Sequence, residues 1–157
     1  MADWQVEFSI IPRRALAGGG AAALRSSADA SPWDAASLPA DYRGKLTALA
    51  SPAAASSADV QSWGPEDGNR IDVSYVDARA TRVTARVDVR RLDAKFGAML
   101  LQFARTADAV LVRSDGLVVE PLVGAFAASL RSSAAWRFAN DPSAQLASYM
   151  DPSPDEN

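Results

Sequence analysis

Three arginines spaced four apart, Arg82, Arg86 and Arg90, are the residues best placed to meet a charged ligand. In the alternating segment that contains them, this spacing puts all three on one side of a strand, with about 13 Å between successive members. A row of guanidiniums can grip phosphates or the carboxylates of a partner. Asp88 falls inside the row, and cross-strand pairing with Glu7 and Asp72 would turn the same row into a neutralised, solvated face. Trp136 and Arg137 form a second candidate, two large polar-tipped groups beside Phe138 at a helix junction. Trp33 and Trp63 form a third. Each lies in a long stretch that reads as a loop, where an indole either pins the loop to the core or lines a ligand groove.

The missing residue types are as informative as those present. The chain has no histidine and no cysteine. Serine-histidine and cysteine-histidine catalysis, disulfides and ordinary zinc sites are therefore excluded. Gly18-Gly19-Gly20 lacks the Gly-Lys-Ser/Thr ending of a phosphate-cradling loop and reads as a linker. Asp108, Asp115 and Glu120 are a weak carboxylate group, and Asp115 is accounted for by the turn Ser114-Asp115-Gly116. No catalytic residue, metal ligand set or cofactor motif is assigned.

The elements that must position the candidates follow from periodicity. Trp4, Val6, Phe8 and Ile10 alternate with Gln5, Glu7 and Ser9, a half-buried strand that stops before Pro12. Leu38, Tyr42, Leu46 and Leu49 recur at helical steps, so a first helix is expected over 38–50. Ile71, Val73 and Tyr75, then Val83, Ala85, Val87 and Val89, predict a hairpin. Leu92, Phe96, Met99, Leu100 and Phe103 form one stripe, the clearest helix of the chain, with Asp93 favourably placed at its start. Ala109–Arg113 reads as a buried strand that turns into 117–120. Pro121 opens a third helix carrying Leu122, Phe126 and Leu130, and Asp141-Pro142 caps a short last one carrying Leu146 and Tyr149.

This order predicts an α+β domain over 1–150, with long loops at 13–37 and 51–69 and a disordered acidic tail at 151–157. It resembles the ferredoxin-like βαββαβ arrangement, an antiparallel sheet with helices on one face, here extended by a C-terminal hairpin strand and helices. The other sheet face would then show Gln5, Glu7, Ser9, Asp72, Ser74, Arg82, Thr84, Arg86, Asp88 and Arg90. Architecture alone does not assign a function.

The chain of 157 residues carries a net charge of −3 and has a pI near 4.9. That balance disfavours nucleic acid, as does the absence of aromatics from the polar register of the sheet. The arginine-dominated basic set and abundant alanine suit a GC-rich bacterial genome. The lack of a signal-like start or a long apolar run suits a cytoplasmic protein away from membranes. The functional expectation is a non-enzymatic protein-interaction module, antidote- or immunity-like or an adaptor, with a protein partner on the open sheet face or at the Trp136 junction, or a second copy on the sheet face. The alternative is a small anionic-ligand-binding or sensor domain, or an enzyme that works without histidine and cysteine.

Overall fold

A computed structural model describes residues 1–16, 31–35, 37–54 and 57–141. The glycine run at 18–20, the expected last helix with Leu146 and Tyr149, and the 151–157 tail lie outside the described residues.

The chain builds strands β1 (Gln5–Pro12), β2 (Val60–Trp63), β3 (Arg70–Val76), β4 (Arg79–Asp88), β5 (Ala109–Arg113) and β6 (Val118–Val119). Helices are α1 (Arg13–Leu16), α2 (Tyr42–Leu49), α3 (Ala94–Thr106), α4 (Val123–Arg131) and α5 (Ala134–Asn140), with a 3-10 turn at Pro32–Ala35. The strands form one six-stranded antiparallel sheet in the order β2-β3-β4-β1-β5-β6. Both β4 and β5 run opposite to β1, so they are mutually parallel, and α3 makes the crossover between them with β1 inserted in the gap. The α+β class expected from the sequence is present. The element order is not the simple βαββαβ succession, because β2 intervenes between α2 and β3.

β2 lies within the stretch read as the 51–69 loop. Its edge is closed by the chain that precedes it: Pro52 bridges Trp63, Ser57 bridges Val60, and the Ala53 amide donates to the Ser62 carbonyl. Gly64 ends β2 at φ 95°, and a Cβ there would stand 2.1 Å from the Asn69 carbonyl oxygen, so only glycine lets the turn close. The first helix is shorter than expected, beginning at Tyr42.

Alternation in β1 decides the core. Val6, Phe8 and Ile10 are buried on the helix-bearing face with Val83, Ala85, Ile71, Val73 and Leu111, and α2, α3, α4 and α5 add Leu46, Phe96, Leu100, Leu130 and Ala135. The helices do not all share that face. α1 brings Ala15 and Leu16 against Ile11, Val110 and Val112, which point to the opposite side of the sheet. α3 forms because an apolar stripe follows a good cap: the Asp93 carboxylate accepts from the Lys95 and Phe96 amides.

The β3–β4 hairpin closes on Asp77 and Ala78, both at positive φ (49° and 62°), the pattern of a type I′ turn. Ala78 carries a Cβ where the left-handed conformation penalises one. Ala78→Gly is therefore expected to stabilise the protein by about 1 kcal/mol, raising the thermal midpoint by about 3 °C. A lowered midpoint in calorimetry would contradict this.

Candidate functional site

The face opposite the main helix layer is a knit of charges. At its centre the Asp72 carboxylate accepts from the Ser62 hydroxyl at 2.5 Å and from Arg70 Nε at 2.9 Å, and it lies 3.3 Å from Arg86. Arg70 also donates to the Gly64 carbonyl and the Ser62 hydroxyl. Arg86 is held by Glu7 and Glu66, both at 3.5 Å, and among the side-chain nitrogens and oxygens of the described residues only its Nε is buried without a hydrogen-bond partner. The turn over 64–69 folds back onto this face. The Glu66 and Gly68 carbonyls accept from the Gln5 amide, and the Asn69 side chain accepts from the Asp88 backbone N–H. Gln5, Asp72 and Asp88 are buried as a result, so much of the face expected to be open is covered.

The arginine row is thus distributed among different environments. Arg82 is exposed on β4, and Arg86 sits inside the charge network with its side chain 19% exposed. Arg90 lies two residues beyond the end of β4. It pairs with Asp88 at 2.8 Å, donates to the Asp67 carbonyl and stacks over the Trp4 ring at 4.0 Å. Burial works against the Asp88 carboxylate, but Arg90's hydrogen bonds and charge bring its pKa below the ordinary value.

Trp33 and Trp63 are core residues in this structure. Trp33 is buried and donates from Nε1 to the Ile10 carbonyl, and Trp63, 1% exposed, donates to the Thr47 hydroxyl. An open depression of about 490 Å³ beside Trp63 is lined by Leu49 to Ala53, Gly64, Asn69 and Phe96 rather than by either indole. Elsewhere, the Tyr42 and Tyr75 hydroxyls share a 2.6 Å hydrogen bond under the Arg43 guanidinium. Burial and the Tyr42 bond push the Tyr75 phenol up to about 12, which suits a structural hydroxyl rather than a base.

Asp108, Asp115 and Glu120 each stand beside an arginine. Asp115 is held by the Arg113 guanidinium, whose hydrogen bonds bring it down to about 2. Glu120 is paired with Arg13 and lies below its ordinary value, while Asp108 is 3.5 Å from the same Arg13. Among the described residues no group of three His, Cys, Asp or Glu could hold a metal ion, and no helix is long and apolar enough to cross a membrane.

A strongly apolar opening lies on the other side, between α3 and α4. It is a groove of about 360 Å³ whose α3 wall is Ala94, Gly97, Ala98 and Leu101, with Val123, Ala127 and Leu130 opposite. Phe126 forms its floor, and a Cβ added at Gly97 would touch the Phe126 ring at 3.4 Å. The glycine therefore permits close approach to α4. Val87, Leu92, Asp93, Arg131 and Trp136 complete the lining, so of the two residues singled out at the helix junction, Trp136 belongs to this groove and Arg137, next in sequence, is exposed. The Ser133 hydroxyl caps α5, accepting from the Trp136 amide at 3.1 Å, and so fixes where the indole enters.

Leu92 and Leu122, read from the sequence as members of buried stripes, are 54% and 58% exposed, and Val123 is 71% exposed. The available signal was the i, i+3, i+4 run of small residues Ala94, Gly97 and Ala98 on α3, which leaves space where a core helix would fill it. No protein-family model matches the chain, and neither a curated protein nor a solved structure is significantly similar to it.

Proposed function

We propose that this protein is a non-enzymatic interaction module that docks a partner protein in the groove between α3 and α4. The observation that carries the reading is an apolar groove of about 360 Å³ left open beside exposed Leu92 and Val123. Exposed apolar surface of this kind, bordered by polar residues, marks binding sites on soluble domains. Its size falls within the range of sites that hold a ligand or a few anchoring side chains.

The cationic row, by contrast, is engaged at Arg86 and Arg90 by the chain's own carboxylates. An anionic ligand there would have to displace them, which favours the groove over the anion-sensor alternative. We read β3, β4, β1 and β5 with α2 and α3 as a ferredoxin-like unit extended by β2 and β6; in this reading it serves as the platform that holds α3 and α4 apart.

The test is affinity purification of the full chain from its native cell, alongside Ala98→Trp, which fills the groove from an exposed position, and Arg82→Ala on the sheet face. The expected result is a stoichiometric protein that the wild type and Arg82→Ala retain and that Ala98→Trp loses by tenfold or more, about 1.4 kcal/mol. Retention by Ala98→Trp at an unchanged melting temperature would sink the proposal.

A further inference from the structure

The helices around the groove have an unusual charge pattern for this chain. None of α3, α4 and α5 contains an aspartate or glutamate, while they carry Lys95, Arg105, Arg131 and Arg137. This occurs in a chain whose overall charge is −3. Arg131 lines the groove itself, and Arg137 follows Trp136, Lys95 follows Ala94 and Arg91 precedes Leu92, all three of them exposed. Among the described residues the one carboxylate lining the groove, Asp93, is turned to the α3 amides of Lys95 and Phe96 as their cap. An apolar slot lined by Arg131, with further cations next in sequence to its lining residues and that acid engaged, selects its occupant by charge.

Backbone chemistry selects its conformation. Both walls are helices whose amides and carbonyls are satisfied internally, so an extended segment lying along the groove would find no ladder partners for its own backbone. A helix arrives with those bonds already made, and the small residues Ala94, Gly97 and Ala98 allow the close axial approach that helix packing needs.

From these features we infer that the groove takes an acidic amphipathic helix of a partner protein, its apolar stripe between α3 and α4 and its flanking carboxylates against Arg131 and the neighbouring cations. The inference rests on the docking reading above and adds the class of partner to it. Each rim contact is exposed and modest alone, so discrimination comes from several acting together and is sensitive to salt.

The test uses the isotope-labelled full chain and three synthetic helical peptides that share one leucine stripe and differ in carrying glutamate, glutamine or lysine on their flanks. The expected result is shifts at Gly97, Ala98, Val123 and Ala127 amides with all three, and affinity falling in that order by about tenfold from glutamate to lysine. The difference should shrink as salt rises from roughly 0.05 to 0.5 M, and Arg131→Glu should narrow it as well.

Equal affinities would overturn the acidic-partner inference while leaving the groove as a docking site. No shift with any peptide would overturn both. Groove amides that move with protein concentration alone would assign the site to a second copy. Groove amides that move on replacing Leu146 and Tyr149 by serine, with no response to peptide, would assign it to the chain's own C-terminal segment. Either of these last two results also overturns the inference.

Discussion

Replacing Asp72 by alanine is expected to lower folding stability by about 3 kcal/mol, read as a fall in the urea midpoint at unchanged slope. The reason is what the carboxylate leaves behind. Its side chain is 12% exposed, and it stands between Arg70 at 8% and Arg86 at 19%. Two guanidiniums already removed from most of their water would lose their shared counter-ion, and the Ser62 hydroxyl its acceptor. Glu66 reaches both arginines, but at 3.5–3.6 Å from a side chain 78% exposed, so solvent screens it. Glu66→Ala is accordingly expected to cost less than about 1 kcal/mol. The two substitutions together separate a buried charge network from a surface one. A loss below about 1 kcal/mol for Asp72→Ala would mean that water enters to replace it, and the network would then be no constraint on the fold.

Which parts of this molecule its sequence reveals depends on the range of the forces involved. The β1 alternation was legible because one local period assigns Val6, Phe8 and Ile10 to a single face, and any register that buries them gives the same answer. α3 was legible because stripe and cap agree. β2 was not, since Val60-Gln-Ser-Trp63 is short and weakly patterned, and its strand conformation comes from pairing with β3 and from the bridges at Pro52 and Ser57. The burial of Gln5, Asp72 and Asp88 was illegible for a related reason. A turn 61 to 63 residues away from Gln5 covers it, and nothing in β1 encodes that contact. The groove shows the limit from the other side. Periodicity says which face of α3 or α4 is apolar, but not whether another element arrives to cover it, and at Leu92, Leu122 and Val123 none does among the described residues.

Phe8→Ala is the substitution expected to reach from core to groove. Phe8 is fully buried on the central strand β1, and its ring meets that of Phe126 at 5.6 Å between centroids with a 45° tilt. Phe126 in turn forms the groove floor beneath Gly97. Removing the ring deletes its transfer free energy and leaves a cavity under α4, a combined cost of about 3–5 kcal/mol. β1 pairs with both β4 and β5 at this point, through Phe8↔Ala85 and Phe8↔Arg113, so the sheet cannot collapse inward to fill the space. Phe126 can. It is expected to sink toward the vacancy, deepening the groove and shifting the Gly97 and Ala98 amides at temperatures well below the melting transition. Phe8→Leu retains most of the volume and should cost about 1–1.5 kcal/mol with little movement at those amides. Equal stability losses for the two variants would show that the ring's shape is immaterial. An unperturbed Gly97 in Phe8→Ala would show that α4 is held in place from the helix side rather than by the sheet.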